Sequence, residues 1–167
     1  VLAASREMES VEGSVRPSLS LGLGDPASDP RVVCVGASGR DGGWFLWRDR
    51  RGRLRPFSNR GPAVRFMAPG DDVADPFAPG RLKHAESSGA TAFAAGTLLL
   101  VLGTSPELSL TELDAFLALG AARPDPAADL QAGVASASEL MPFGRDRDGH
   151  NAKHGYGRLS AERACLA

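Results

Sequence analysis

The run RVVCVGAS, Arg31 to Ser38, is β-branched and apolar without polar alternation. That pattern suits a strand covered on both faces in a parallel sheet. VLAAS at the start, Val1 to Ser5, reads as a shorter apolar strand, and AVRFMAP as another, stopped by Pro69 and Gly70. WFLWR and RLRPF flank Asp49 to Gly52 and predict a β-hairpin. From Gly89 to Leu102 the apolar residues recur at helical spacing among small ones, which predicts a slim buried helix. Ser109 with Glu112 three residues on has the form of a capping box. Leu110, Leu113, Phe116 and Leu117 share a face of the helix it opens, with Gly120 expected to close it. LSAERACLA, after the glycine turn Gly155 to Gly157, predicts a short terminal helix. Arg6 to Pro30, broken by glycines and prolines, reads as loop, as does the acidic stretch Asp71 to Gly80. Ala121 to Ser138, rich in Ala, Pro and Asp, reads as linker or weak helix. Strands alternating with helices place the chain in the α/β class with a largely parallel sheet.

Composition narrows this picture only a little. The 167 residues suffice for one sizeable core, and 43% hydrophobic with 23% charged residues is ordinary for a globular chain. A net charge of -1 gives no reason to expect a nucleic-acid or membrane partner. The apolar run at Gly89 to Leu102 is short and rich in small residues, so a core helix is expected over a transmembrane one. Cys34 and Cys165 are too few for a disulfide scaffold. A buried thiol is the reading for Cys34, with a single Cys34–Cys165 bridge left open. The chain opens on Val1, already in a strand, as expected of a processed product or a piece of a longer polypeptide.

Ser88 stands at the first turn of the central helix, preceded by HAES and followed by GATAFAAG. A serine hydroxyl needs a base to take its proton and positive dipoles to receive the oxyanion. The unpaired amides of a helix start supply the second. The same position also suits a plain N-cap serine, and local sequence alone favours that reading.

Five strings taken together decide otherwise. VLAAS, ASDPRVVCVGAS, FSNRGP with FMAPG, the serine segment and HGYGRLSAERA occur in an order and spacing that resemble the C-terminal part of the subtilisin-like serine protease family. The resemblance covers nearly the whole chain. It implies a three-layer α/β/α fold with a mostly parallel sheet, of which residues 1–167 form the C-terminal portion of a single peptidase domain, with the arginine-rich hairpin as an insertion. It implies a serine endopeptidase working through an acyl-enzyme, with Ser88 as nucleophile and its own amide as one oxyanion donor. Ala3, Ala4 and Ser5 match the strand that walls the family's side-chain pocket. Arg6 falls where the family has its second oxyanion donor, an asparagine. The family's pattern runs Gly-Thr-Ser and has a proline four residues after the serine; here these positions read Glu86-Ser87-Ser88 and Ala92.

In subtilisins the triad follows the order Asp, His, Ser. The resemblance therefore implies that Asp and His come from an N-terminal segment of the same domain, absent from this chain, and that the remaining partner is a peptide or protein substrate. The alternative is a weakly active or inactive domain of the same fold that binds peptides. No cofactor is expected; family members often bind calcium, and no acidic cluster here matches a calcium loop.

The remaining polar groups offer weaker readings. His84, four residues before Ser88, is expected to be an exposed polar residue. His150 and His154 have the spacing of two helical metal ligands, but Gly149 and Gly155 bracket them and a third ligand is not evident. Arg48, Arg50, Arg51, Arg53 and Arg55 make a solvated edge that discourages strand pairing, or a dock for an acidic partner or phosphate backbone. Asp71, Asp72 and Asp75 could neutralise that edge, and the solvated edge is the reading adopted.

Overall fold

The computed structural model describes residues 2–3, 8–11, 14–17, 27–40, 42–43, 46–48, 51–52, 54–56, 58–71, 73–75, 77–80, 82–83, 86–123, 149–151 and 153–166. Its centre is a parallel sheet in the order β1 (Leu2–Ala3), β4 (Cys34–Ser38), β7 (Val64–Pro69). All five residues of β4 are buried, as expected for a strand covered on both faces. Val35 and Ala37 pack with Ala68, Ala90 and Ala94 on one side. Cys34 packs with Val64, Met67 and Ala27 on the other.

A register shift lies between Cys34 and Val35, where β7 uses one more residue than β4. Cys34 pairs with Val64, but Val35 pairs with Phe66. The extra residue, Arg65, lets Val64 and Met67 share a face despite their odd spacing. Arg65 itself is half-buried; it pairs with Asp114 and lies 5.6 Å over the Tyr156 ring.

The loop expected over Arg6 to Pro30 needs correction. β2 (Met8–Val11) and β3 (Ser14–Pro17) pair antiparallel, Met8 opposite Pro17 and Val11 opposite Ser14. Composition alone does not distinguish a stretch broken by glycine and proline that pairs from one that does not. On either side of Asp49 to Gly52, β5 (Leu46–Arg48) and β6 (Leu54–Pro56) pair antiparallel, Leu46 opposite Pro56. The acidic stretch after Gly70 also carries order: β8 (Val73–Ala74) pairs with β9 (Leu82–Lys83), and Asp75 is buried, accepting from the Phe77 amide at 3.0 Å.

α1 (Glu86–Thr104) exceeds its predicted span at both ends. At 19 residues and a mean hydropathy of 1.4 it is long and apolar enough to cross a membrane. Here, however, Ala90 and Ala94 lie against the sheet. Leu98 and Val101 meet Phe66 and the helices α2 (Leu110–Gly120) and α3 (Ala161–Leu166). The capping box that opens α2 is formed in both directions: the Glu112 amide donates to Ser109 Oγ at 3.3 Å, and the Ser109 amide donates to Glu112 Oε2 at 2.9 Å. Leu113 and Leu117 are its buried apolar side chains, whereas Leu110 is exposed. Gly120 does not serve as a left-handed cap. It is the last helical residue, and a Cβ there would stand 2.7 Å from the Ala164 nitrogen, so its small size admits α3.

The HGYGRL segment runs along β7. The Met67 amide donates to Gly157 O and the Leu159 amide to Met67 O, each at 2.8 Å. The Tyr156 amide donates to Arg65 O at the same distance. Arg158 also pairs with Ala122, within the described part of the expected linker.

Candidate active site

Two backbone bonds tie the start of α1 to the carboxyl ends of the parallel strands. The Gly70 amide, just past β7, donates to Ser38 O at the end of β4 at 3.0 Å. The Glu86 amide then donates to Gly70 O at 2.7 Å. The first helical amide is thus satisfied from the sheet, while those of Ser87, Ser88 and Gly89 have no acceptor four residues back within the helix. Ser88 is the third residue of α1, inside its first turn and past the capping position. It is exposed. Thr91 Oγ1 donates to Ser87 O at 2.8 Å, closing the turn beside it.

Glu86 carries a φ of 54°, the one positive value outside glycine among the described residues. Glycine adopts that conformation freely, and a residue with a Cβ does so at a cost.

A cleft of about 320 Å³ opens at the same carboxyl ends. Gly39, Arg40, Pro69, Asp71, Val73, Ala74, Phe93 and Arg158 line it. Ser88 is not among its walls. Neither Arg40 nor Arg158 stands out in the sequence, because the cleft they line with Asp71 is built from segments remote in the chain. Their only signal was position: Arg40 and Asp71 each follow closely on a parallel strand.

The other candidates separate. Ala3 lies on β1, beside Val35 in register. Ala4, Ser5, Arg6, His84, Asp72, Arg50 and Arg53 lie outside the described residues, as do positions 124–138 of the expected linker. Arg51 is exposed. His150 and His154 are not helical ligands. His150 precedes, and His154 lies within, a turn in which Asn151 and Gly155 exchange backbone bonds, and Asn151 Oδ1 accepts from the amides of Lys153 and His154 at 2.9 and 3.0 Å. His154 is fully buried, while His150 Nε2 is 2.7 Å from Val64 O and its ring meets Tyr156 edge-on. Among the described residues no group of three His, Cys, Asp or Glu could hold a metal ion. Both cysteines are free; burial pushes the Cys34 thiol up to about 11, while Cys165 is exposed.

This arrangement, a small-residue helix started from the ends of two parallel strands with a serine in its first turn, coincides with a sequence match to the subtilase family over residues 14–157. The chain belongs to the subtilase family. No curated protein shows significant sequence similarity to it. Among solved structures, it is similar to MycP1 from Mycobacterium smegmatis, with 21% identity and a TM-score of 0.52 over 84% of this chain and 31% of that one. A structure of MycP1 with the N-terminal propeptide removed matches at 20% identity and a TM-score of 0.52, over 84% of this chain and 38% of that one. A third, of the serine protease MycP1 described as an essential component of the type VII (ESX-1) secretion system, matches at 18% and 0.54 over 86% and 33%. At such identities the likeness is one of fold, and it agrees with the subtilisin-like α/β class. The subtilase chain spans about a third of these structures' length.

Proposed function

We propose that this subtilase chain carries the nucleophile of a serine endopeptidase and that Ser88 is that nucleophile. The observation that supports it most is an exposed Ser88 in the first turn of α1, with the helix start bonded to the carboxyl ends of β4 and β7. In this reading Ser88 Oγ attacks the scissile carbonyl carbon as a histidine takes its proton. The oxyanion is received by the Ser88 amide, with Arg6 as the second donor. Collapse expels the amine, which leaves with the proton from the histidine, and water then hydrolyses the acyl ester. Ala3, Ala4 and Ser5 wall the side-chain pocket of a peptide or protein substrate.

The histidine and its aspartate come from an N-terminal segment of the same domain that is not in this chain. α1 supports the need for such a segment. Phe93, Leu99 and Leu100 are 47%, 70% and 57% exposed on a helix that is apolar on all sides, and an uncovered apolar face of this kind calls for a packing partner.

The test is labelling by a fluorophosphonate of the full protein containing both parts. Ser88→Ala should abolish labelling and peptide hydrolysis together, while this chain alone should hydrolyse nothing measurable. Labelling that persists in Ser88→Ala would refute the assignment. The departures at Glu86 and Arg6 favour a second reading, a weakly active domain that binds peptides. It predicts peptide binding without labelling, unchanged by Ser88→Ala.

A further inference from the structure

We propose that the contact between Gly70 and Glu86 is a positioning device, which sets where α1 begins and so where the Ser88 hydroxyl stands. It rests on the reading of Ser88 as nucleophile for its purpose, but not for its geometry.

Gly70 is held from both sides. Its amide donates to Ser38 O at 3.0 Å, and its carbonyl accepts from the Glu86 amide at 2.7 Å. A Cβ on Gly70 would stand 2.7 Å from Ala37 Cβ and 2.8 Å from Glu86 O. The first of these belongs to β4 and the second to the first residue of α1. Strand end, strand turn and helix start therefore converge at a point with room for no side chain. Glycine is needed at position 70 for this close approach; its φ is not in the left-handed region.

Across the contact, Glu86 takes φ 54° to bring its amide onto Gly70 O and its carbonyl over the Gly70 Cα. The subtilisin-like pattern has glycine at this position, where that conformation is free. Here a residue with a Cβ is held in it, so the surroundings dictate the backbone at Glu86. The consequence for Ser88 is geometric. With 3.6 residues per turn, a helix start displaced by one residue rotates the hydroxyl by about 100° around the axis. The same slip would move the first-turn amides away from it.

The closing experiment reads the position through a thiol, so it does not depend on catalysis. In Ser88→Cys with Cys165→Ser, the pH dependence of iodoacetamide alkylation gives the pKa of the introduced thiol, with Cys34 buried and slow. The first-turn amides should hold that thiol below the free value of about 8.5. Gly70→Ala should return it towards that value, slowing alkylation at pH 7 by roughly threefold or more. An unchanged thiol pKa on adding Gly70→Ala would overturn the proposal.

If Gly70→Ala does not fold, position 86 decides. Glu86→Gly removes the backbone cost and should raise Tm by roughly 1–4 °C, whereas Glu86→Ala keeps that cost and should not raise it. An equal rise in both would place the effect in the carboxylate and refute the device. A fall in Tm for Glu86→Gly would refute it as well. Absent fluorophosphonate labelling in the full protein would instead count against Ser88 as nucleophile, leaving the thiol and Tm results to stand.

Discussion

Replacing Gly155 by alanine should cost far more than replacing a glycine of similar φ elsewhere, and the difference measures how tightly the terminal segment is seated on β7. Gly155 has φ 60°, and a Cβ there would overlap the carbonyl group of Arg65 and come within 2.7 Å of Val64 O. These are backbone atoms of β7 and cannot swing aside. The left-handed conformation alone costs alanine about 1–2 kcal/mol. Relief of the overlap must also break the bond from the Tyr156 amide to Arg65 O or the Asn151–Gly155 pair, at about 1 kcal/mol for each bond lost. The sum is about 2–4 kcal/mol, which for a chain of this size lowers Tm by roughly 10 °C. Gly80 is the control. Its φ is 83° and nothing lies within 4 Å of its virtual Cβ, so Gly80→Ala should lose only about 1–2 kcal/mol. Thermal unfolding followed by circular dichroism gives both values. Hydrogen exchange adds a local readout, because the Met67 amide donates to Gly157 O and should lose protection first in Gly155→Ala. Equal Tm losses in the two variants would show that Gly155 is not seated against β7, and the account of the terminal segment would fail.

Three further outcomes follow from local chemistry. Ser109→Ala removes the cap of α2 and should cost about 1 kcal/mol in denaturant unfolding; no loss would mean the box does not hold in solution. The hydrogen bonds from Ser109 hold the Glu112 carboxyl below its ordinary value. A depressed folded value means that its contribution is present above the unfolded pKa and is lost as pH falls through the folded one. The gap in stability between wild type and Ser109→Ala should therefore narrow on acidification below the ordinary glutamate range, and a gap that widens there would contradict the sign. Of the two thiols, Cys165 should react with an aromatic disulfide at pH 8 within the native state. Cys34, with its thiol pushed up to about 11, should react only on unfolding, so two equally fast thiols would contradict its burial.

Much of the scaffold was legible because its signals are short-range. The unbroken apolar run at β4, the Ser109–Glu112 spacing and the small-residue helix each encode their structure within a few residues. The pairing of β2 with β3 was not legible, since glycine and proline punctuate loops and strand ends alike and pairing depends on a partner strand. Leu110 shows a related limit: its spacing puts it on the apolar stripe of α2, but the packing of neighbouring elements leaves it exposed. For the site, a serine early in α1 was readable. The approach of Glu86 to Gly70, and the meeting of Arg40, Asp71 and Arg158 at one cleft, were not.

The sequence by itself determined the central strands β4 and β7 and the helices α1 and α2, and through its motif order it pointed to the subtilase family and to Ser88. Periodicity and capping act between neighbours in the chain, so they survive in a one-dimensional reading. Only the tertiary structure decided why three glycines stand where they do: Gly70 against Ala37 and Glu86, Gly120 against Ala164, Gly155 against Arg65. It also decided that Glu86 bears a backbone conformation suited to glycine. The physical reason is excluded volume. Whether a Cβ fits depends on atoms brought close by the fold from distant parts of the chain, and no local pattern records that distance.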